Sequence, residues 1–260
     1  MRVYLAVSPG DLKDAADFPV GLAHAAYRIG EGSSLLSRNL LQSQSARSFR
    51  SELLILSDRS APPIQQPESL AGAILRECSR RGYDGVVLDF EESSTEDRRG
   101  LAAVLGRQCA ANRKALYLPE AYAAAAKQRI VIINTAVSGG NFEEHLRESC
   151  ERYGSQYVAL DIQRLQMSFT LPARKGQGQP LTREILDSLL REKQPTVFFS
   201  RDLCVRYFTV SQDGSTQFVL FDDAGTLRQK LKLGQKSGAA AVFFQWPEVC
   251  DIASSLLQRL

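Results

Sequence analysis

Tyr83-Asp84-Gly85-Val86-Val87-Leu88-Asp89-Phe90-Glu91-Glu92 is the stretch on which the reading of this chain turns. Taken as an extended strand, residues 85, 87, 89 and 91 project to one side and 86, 88 and 90 to the other. Val86, Leu88 and Phe90 suit packing beneath outer helices. The opposite face runs from glycine through valine to two carboxylates, both at the strand's carboxyl end. Acids aimed into a protein interior are costly unless they are hydrogen-bonded or used in chemistry. In an α/β barrel, the carboxyl ends of the strands are where active sites are built.

Working outward, apolar β-rich runs alternate with helical patterns, the signature of a parallel α/β fold. Strands are predicted at Arg2–Val7, 23–29, Glu52–Ser57, 85–91, 115–118, 130–136, 157–162 and 239–245. Several are apolar on consecutive residues, as strands covered on both faces are. Pro67–Arg81 reads as a helix with Leu70, Ile74, Leu75 and Cys78 at helical spacing. So does 94–109, which opens on acids suited to a helix N-terminus, and 141–153, with Asn141 as cap and Gly154 beyond its end. The Ala-rich segment 120–128 is barely long enough for a barrel helix, and there the strand count is most exposed to error. The expectation is a (β/α)8 TIM barrel occupying residues 1–260 as one domain, since such barrels take ~250 residues.

One piece does not fit a plain barrel. Two β-rich runs between 196 and 223 are joined by Gln212-Asp213-Gly214-Ser215, and Asp-Gly between alternating β-formers signals a hairpin. The predicted barrel therefore carries a β-hairpin insertion, roughly 170–223, between its seventh and eighth strands, above the carboxyl ends. The polar, Gly-rich stretch 173–180, with Arg174 and Lys175, reads as a loop on the same rim.

Composition narrows the function classes. The chain is 44% hydrophobic and 23% charged, which disfavours disorder. Its net charge of +3 comes from interspersed charges of both signs, with no basic arm or face to suggest nucleic acid. No run approaches the ~20 apolar residues of a membrane span. The opening run is too quickly interrupted by Pro9 and Gly10 to read as a signal peptide, so a cytoplasmic location is expected. The five cysteines are widely spaced without a CxxC pair, and His24 and His145 have no third ligand at metal spacing. No metal or other cofactor is expected, and the oligomeric state is left open.

The central stretch resembles the fourth strand of glycoside hydrolase family 18, the chitinase family, which carries D-G-x-D-x-D-x-E. Asp84, Gly85, Asp89 and Glu91 match; Val87 stands where the family has its middle aspartate. The segment YFTVSQDGSTQFVLFDDAGTLRQKLKLGQKSGAAAVFFQW, residues 207–246, is similar to the family's ending: a hairpin, Asp-Asp before a helix, and a last strand closing on tryptophan.

The resemblance implies substrate-assisted, retaining hydrolysis of N-acetylglucosamine-containing β-glycans, chitin-type or peptidoglycan fragments, an exception to the usual two-carboxylate scheme. Glu91 would be the acid/base, its pKa raised by burial, and Asp89 would orient the substrate's acetamide. Trp246 would floor the sugar site. The family's acetamide-holding Tyr after strand six has no counterpart in 130–140 or 157–165, although Asp161 matches that motif's acid if the register slides. Tyr27, Tyr122 and Tyr207 are the available substitutes.

Blander readings stand beside these. Asp89 and Glu91 could instead join a salt-bridge network with Arg28 or Arg164, Trp246 could be core, and Asp84 suits a turn. Glu31, Asp58, Glu120, Asn134 and Gln245 lie at or beyond strand ends as rim groups for substrate binding. At the level of function, the alternatives are a glycosidase, a catalytically weak or inactive carbohydrate-binding barrel, or an unrelated barrel enzyme using the same carboxylates.

Overall fold

A computed structural model of the chain describes residues 1–38, 52–91, 94–136, 139–172, 177–212 and 214–257. Eight parallel strands close into a barrel: β1 (Arg2–Val7), β2 (Gly21–Gly30), β4 (Glu52–Ser57), β5 (Gly85–Asp89), β6 (Ala115–Pro119), β7 (Ile130–Asn134), β8 (Val158–Ile162) and β14 (Ala241–Gln245). β1 pairs with both β14 and β2, which completes the ring. β3 (Ser34–Ser37) folds back antiparallel on β2. The architecture is the expected TIM barrel, with each strand within a few residues of its predicted position.

The helices α1 (Leu12–Ala15), α2 (Pro67–Arg81), α3 (Glu96–Ala111) and α4 (Phe142–Tyr153) lie outside the barrel, as do α6 (Ala224–Ser237), α7 (Trp246–Val249) and α8 (Ala253–Leu257). Asn141 caps α4 as expected, its side chain accepting the Glu144 N–H at 3.0 Å. The Ala-rich segment 120–128 forms only a 3₁₀ turn, Glu120–Tyr122. Ala126 instead fills the space against Gly106 of α3, where a Cβ would come within 2.7 Å of it. The helix is missing there, but the strand count is unaffected.

Alternation sorts the core into two layers, as the central stretch implied. Val86, Leu88 and Phe90 pack in the outer layer beneath the helices. Val87 points into the barrel with Leu53, Ile55 and Tyr117. Tyr4 stacks on Phe243 at 5.2 Å, and Tyr117 meets Phe243 edge-on at 5.2 Å. These rings fill the barrel interior, leaving the carboxyl-end mouth as the open face.

The expected hairpin is present as β12 (Val205–Gln212) and β13 (Ser215–Phe221), with Gly214 at φ +76° in its turn. It belongs to a larger unit. β9 (Gln166–Leu171), β10 (Gln179–Pro180) and β11 (Phe198–Ser200) join it in a five-stranded antiparallel sheet of order β10-β9-β13-β12-β11. Helix α5 (Arg183–Lys193) covers one face of that sheet through Leu186, against Phe208 and Val219. Arg174 and Lys175 of the expected rim loop lie outside the described residues.

A buried ion pair and a second one reaching the surface fix the insertion to the barrel. Lys230 and Asp222, both fully buried, are 2.7 Å apart. Asp222 also accepts from the Leu165 N–H at 2.9 Å and from Thr226 Oγ1 at 2.7 Å. The Arg164 N–H donates to Glu248 at 2.8 Å, and its guanidinium reaches Asp251 at 2.9 Å. Among the described residues no helix is long and apolar enough to cross a membrane.

Candidate active site

Asp89 ends β5 on the inward face, opposite Ser57 of β4. Solvent reaches it across the mouth, while protein surrounds it on the barrel side. That burial, reinforced by the charges of Glu91, Asp161 and Asp58 and opposed by Arg59, pushes its pKa up to about 6. Glu91 follows two residues later. Its backbone N–H donates to Asp58 at 2.9 Å, and its side chain, 57% exposed, lies 4.0 Å from Arg59. The burial expected for Glu91 is therefore absent, and it is Asp89 that the barrel side encloses. The ionic network expected from Arg28 or Arg164 does not form: Arg164 is engaged by Asp251 and Glu248, and the arginine beside Glu91 is Arg59.

Across the mouth, β8 delivers Asp161. Burial pushes this acid upward, against hydrogen bonds that favour its charge. Gln163 donates to one of its oxygens at 2.9 Å and Gln245 to the other at 3.3 Å. Asn134 donates to Gln163 at 3.3 Å and accepts the Ala136 N–H at 2.7 Å. The fourth, sixth, seventh and eighth barrel strands thus bring Asp89, Glu91, Asn134, Asp161, Gln163 and Gln245 to one mouth. Among the described residues, no group of His, Cys, Asp and Glu is arranged to hold a metal ion.

The other candidates lie elsewhere. Trp246 begins α7 with the outward parity of Val242 and Phe244. It is 6% exposed and packs in the outer core, 5.6 Å from Phe18, so its position does not provide a sugar floor. Tyr27 is buried in the outer layer, donating to Glu77 of α2 at 3.0 Å. A register irregularity between His24 and Tyr27 interrupts the alternation that would otherwise forecast its face. Tyr122 is buried edge-on against Phe90 at 5.3 Å. Glu120 faces α4, accepting from Arg152 at 3.1 Å and Tyr153 at 2.9 Å. Asp58 lies fully buried beneath the rim, not on it.

The sequence reading passed over an aromatic surface. The face of the insertion sheet not covered by α5 carries Phe198 stacked on Tyr207 at 5.5 Å, with Tyr207 5.4 Å from Phe218. Its base packs with Leu165 and Ala136, which follow the seventh and sixth barrel strands. Phe198 is 50% exposed. Alternation in β12, with Tyr207 and Thr209 on one face and Phe208 and Val210 on the other, was the available signal.

No family model and no curated protein sequence matches the chain. Solved structures do. The family GH18 chitinase of Cycas revoluta superposes with a TM-score of 0.67 at 12% identity, covering 99% of this chain and 98% of that one. The chain shares the (β/α)8 fold of that structure. The Chromobacterium violaceum chitinase gives a TM-score of 0.67 at 16% identity, covering 94% of this chain and 93% of that one. The spore cortex-lytic enzyme SleL of Bacillus megaterium gives 0.68 at 12% identity, covering 94% and 70% respectively. In this fold Asp89 ends the fourth barrel strand and Glu91 follows just beyond it.

Proposed function

We propose that this barrel is a glycoside hydrolase acting on N-acetylglucosamine-containing β-glycans, of chitin or peptidoglycan type, by substrate-assisted retention. The observation that carries the reading is the meeting of Asp89 and Glu91 at an open mouth, where Asp89 interacts with Glu91 and with Asp161. Likeness in fold to chitinases and to a spore cortex-lytic enzyme supports it.

In this mechanism Glu91 protonates the glycosidic oxygen as the bond to the anomeric carbon breaks. The acetamide carbonyl oxygen of the same sugar attacks that carbon, and Asp89, as carboxylate, faces the positive charge that develops on the acetamide. Water then attacks the anomeric carbon from the vacated side, displacing the acetamide oxygen from it, and gives its proton to Glu91, so the configuration is retained. Asn134 and Asp161, with its two glutamines, are groups for sugar hydroxyls. The aromatic face of the insertion offers a stacking surface for apolar sugar faces.

A second reading, a barrel that binds glycan with little or no turnover, is favoured by the exposure of Glu91 and the valine at position 87. Product release from N-acetylglucosamine oligomers, with oligomer affinity measured in parallel, separates the two. The hydrolase reading expects turnover by the wild type and a loss of at least about 10²-fold in Glu91→Gln with affinity kept. Equal tight binding by both proteins without turnover supports the second reading. Neither binding nor turnover overturns both.

A further inference from the structure

One buried carboxylate under the mouth has no part in the mechanism above. Asp58 directly follows β4 and is fully buried. Its Oδ1 accepts the Glu91 N–H at 2.9 Å, and its own N–H donates to the Asp89 carbonyl at 3.3 Å. Its Oδ2 lies 3.3 Å from Arg98 Nε of α3. Arg98, 4% exposed, is held in turn by Asp97 at 2.6 Å and by the Ala61 carbonyl at 3.3 Å. A carboxylate without water persists only where its charge is balanced and its lone pairs are filled. Here the lone pairs are filled by the backbone that carries the two mouth acids and by an arginine anchored behind them.

We infer that Asp58, backed by Arg98, is a positioning residue for Glu91. It clamps the exit of the fourth barrel strand from the neighbouring strand, so that residues 89 and 91 both turn into the mouth. It also brings a fixed negative charge to Asp89, on a strand whose own position 87 is apolar. The catalytic consequence rests on the glycosidase reading; the clamp itself does not. The charged or titratable groups around Asp58 are Arg98 and Asp97 from α3, Arg59 from its own loop, Asp89 and Glu91 from the β5 exit, and Tyr122 beyond β6.

Three measurements test this. In ligand-free protein, carbon-detected NMR follows the Asp89 carboxyl through its titration. Asp58→Asn keeps an acceptor for the Glu91 N–H but removes the charge, so the Asp89 midpoint should fall by about half a pH unit or more. An unmoved midpoint overturns the charge role. In the unaltered protein, the Glu91 amide should exchange with solvent at least about 10²-fold more slowly than in a free peptide. Exchange at the peptide rate overturns the clamp, whether or not any variant folds.

With N-acetylglucosamine oligomers, Asp58→Ala should lower kcat about 10²-fold with KM within about threefold, and Asp58→Asn should recover most of that loss. An unchanged kcat in Asp58→Ala overturns the positioning role. If the wild type shows no turnover, the glycosidase reading falls, and the titration and exchange results still decide the clamp.

Discussion

Replacing Asp89 by asparagine should make the protein more stable, and only towards neutral and alkaline pH. In the fold Asp89 keeps its proton to about pH 6 because burial and three neighbouring acids disfavour its charge. In an unfolded chain it loses the proton near ~4. Between these values the folded state binds more protons than the unfolded one, so this group's contribution to stability is full below about pH 4. It is lost as pH rises through about 6. The whole gap corresponds to a ceiling of about 3 kcal/mol. Because solvent reaches the carboxylate across the mouth, screening leaves about 1 kcal/mol, or ~2–4 °C in Tm for a chain of this size.

Asparagine carries no charge at any of these pH values. Thermal melts of wild type and Asp89→Asn should therefore coincide near pH 4 and separate by that amount at pH 8, with the variant higher. Under the proposed function, the same variant loses turnover, the trade expected where a site holds like charges together. A variant less stable than wild type at pH 8, or a gap independent of pH, would refute the account of the mouth as an electrostatically strained acid cluster.

Two further outcomes follow from the packing. Lys230→Ala strands a buried Asp222 and should cost about 3–5 kcal/mol in urea unfolding; Asp222→Asn combined with Lys230→Met should recover much of it. A single variant that matches wild type would mean the pair does not anchor the insertion. Trp246→Ala should lose about 3–5 kcal/mol as a core truncation, while oligosaccharide affinity of the folded protein stays within about twofold. A tenfold loss of affinity at intact fold would return Trp246 to the sugar site.

Where the sequence was legible, the reason was geometric. Strand alternation needs no knowledge of partners, so Val86, Leu88 and Phe90 could be assigned to the helices and Asp89 to the mouth from the run alone. The Asp-Gly turn announced the β12–β13 hairpin for the same local reason. β9 and α5 were missed, although Thr182 caps α5 and Leu186, Leu189 and Leu190 recur at helical spacing. Asp161 was noticed only through a slid motif, and Gln163 not at all, because their importance comes from long-range meetings with Asn134 and Gln245. Trp246 and Tyr27 were weighed by strand-end position and by resemblance, not by alternation. Trp246 keeps the outward parity of Phe244, and an irregularity in β2 precedes Tyr27.

The arrangement of the mouth also bears on where a catalytic proton would reside. Without ligand, the surroundings push Asp89 upward, as burial does Asp161 across the mouth, while Glu91 stands in solvent beside Arg59. A sugar seated over the mouth would strip water from Glu91, and desolvation favours the neutral form of a carboxyl group. The acetamide would at the same time bring developing positive charge to Asp89, which favours its ionised form. On the glycosidase reading, substrate binding thus favours the ionised form of Asp89 and the neutral form of Glu91. The exposure of Glu91 in the free barrel is compatible with its acting as the acid once a sugar covers it.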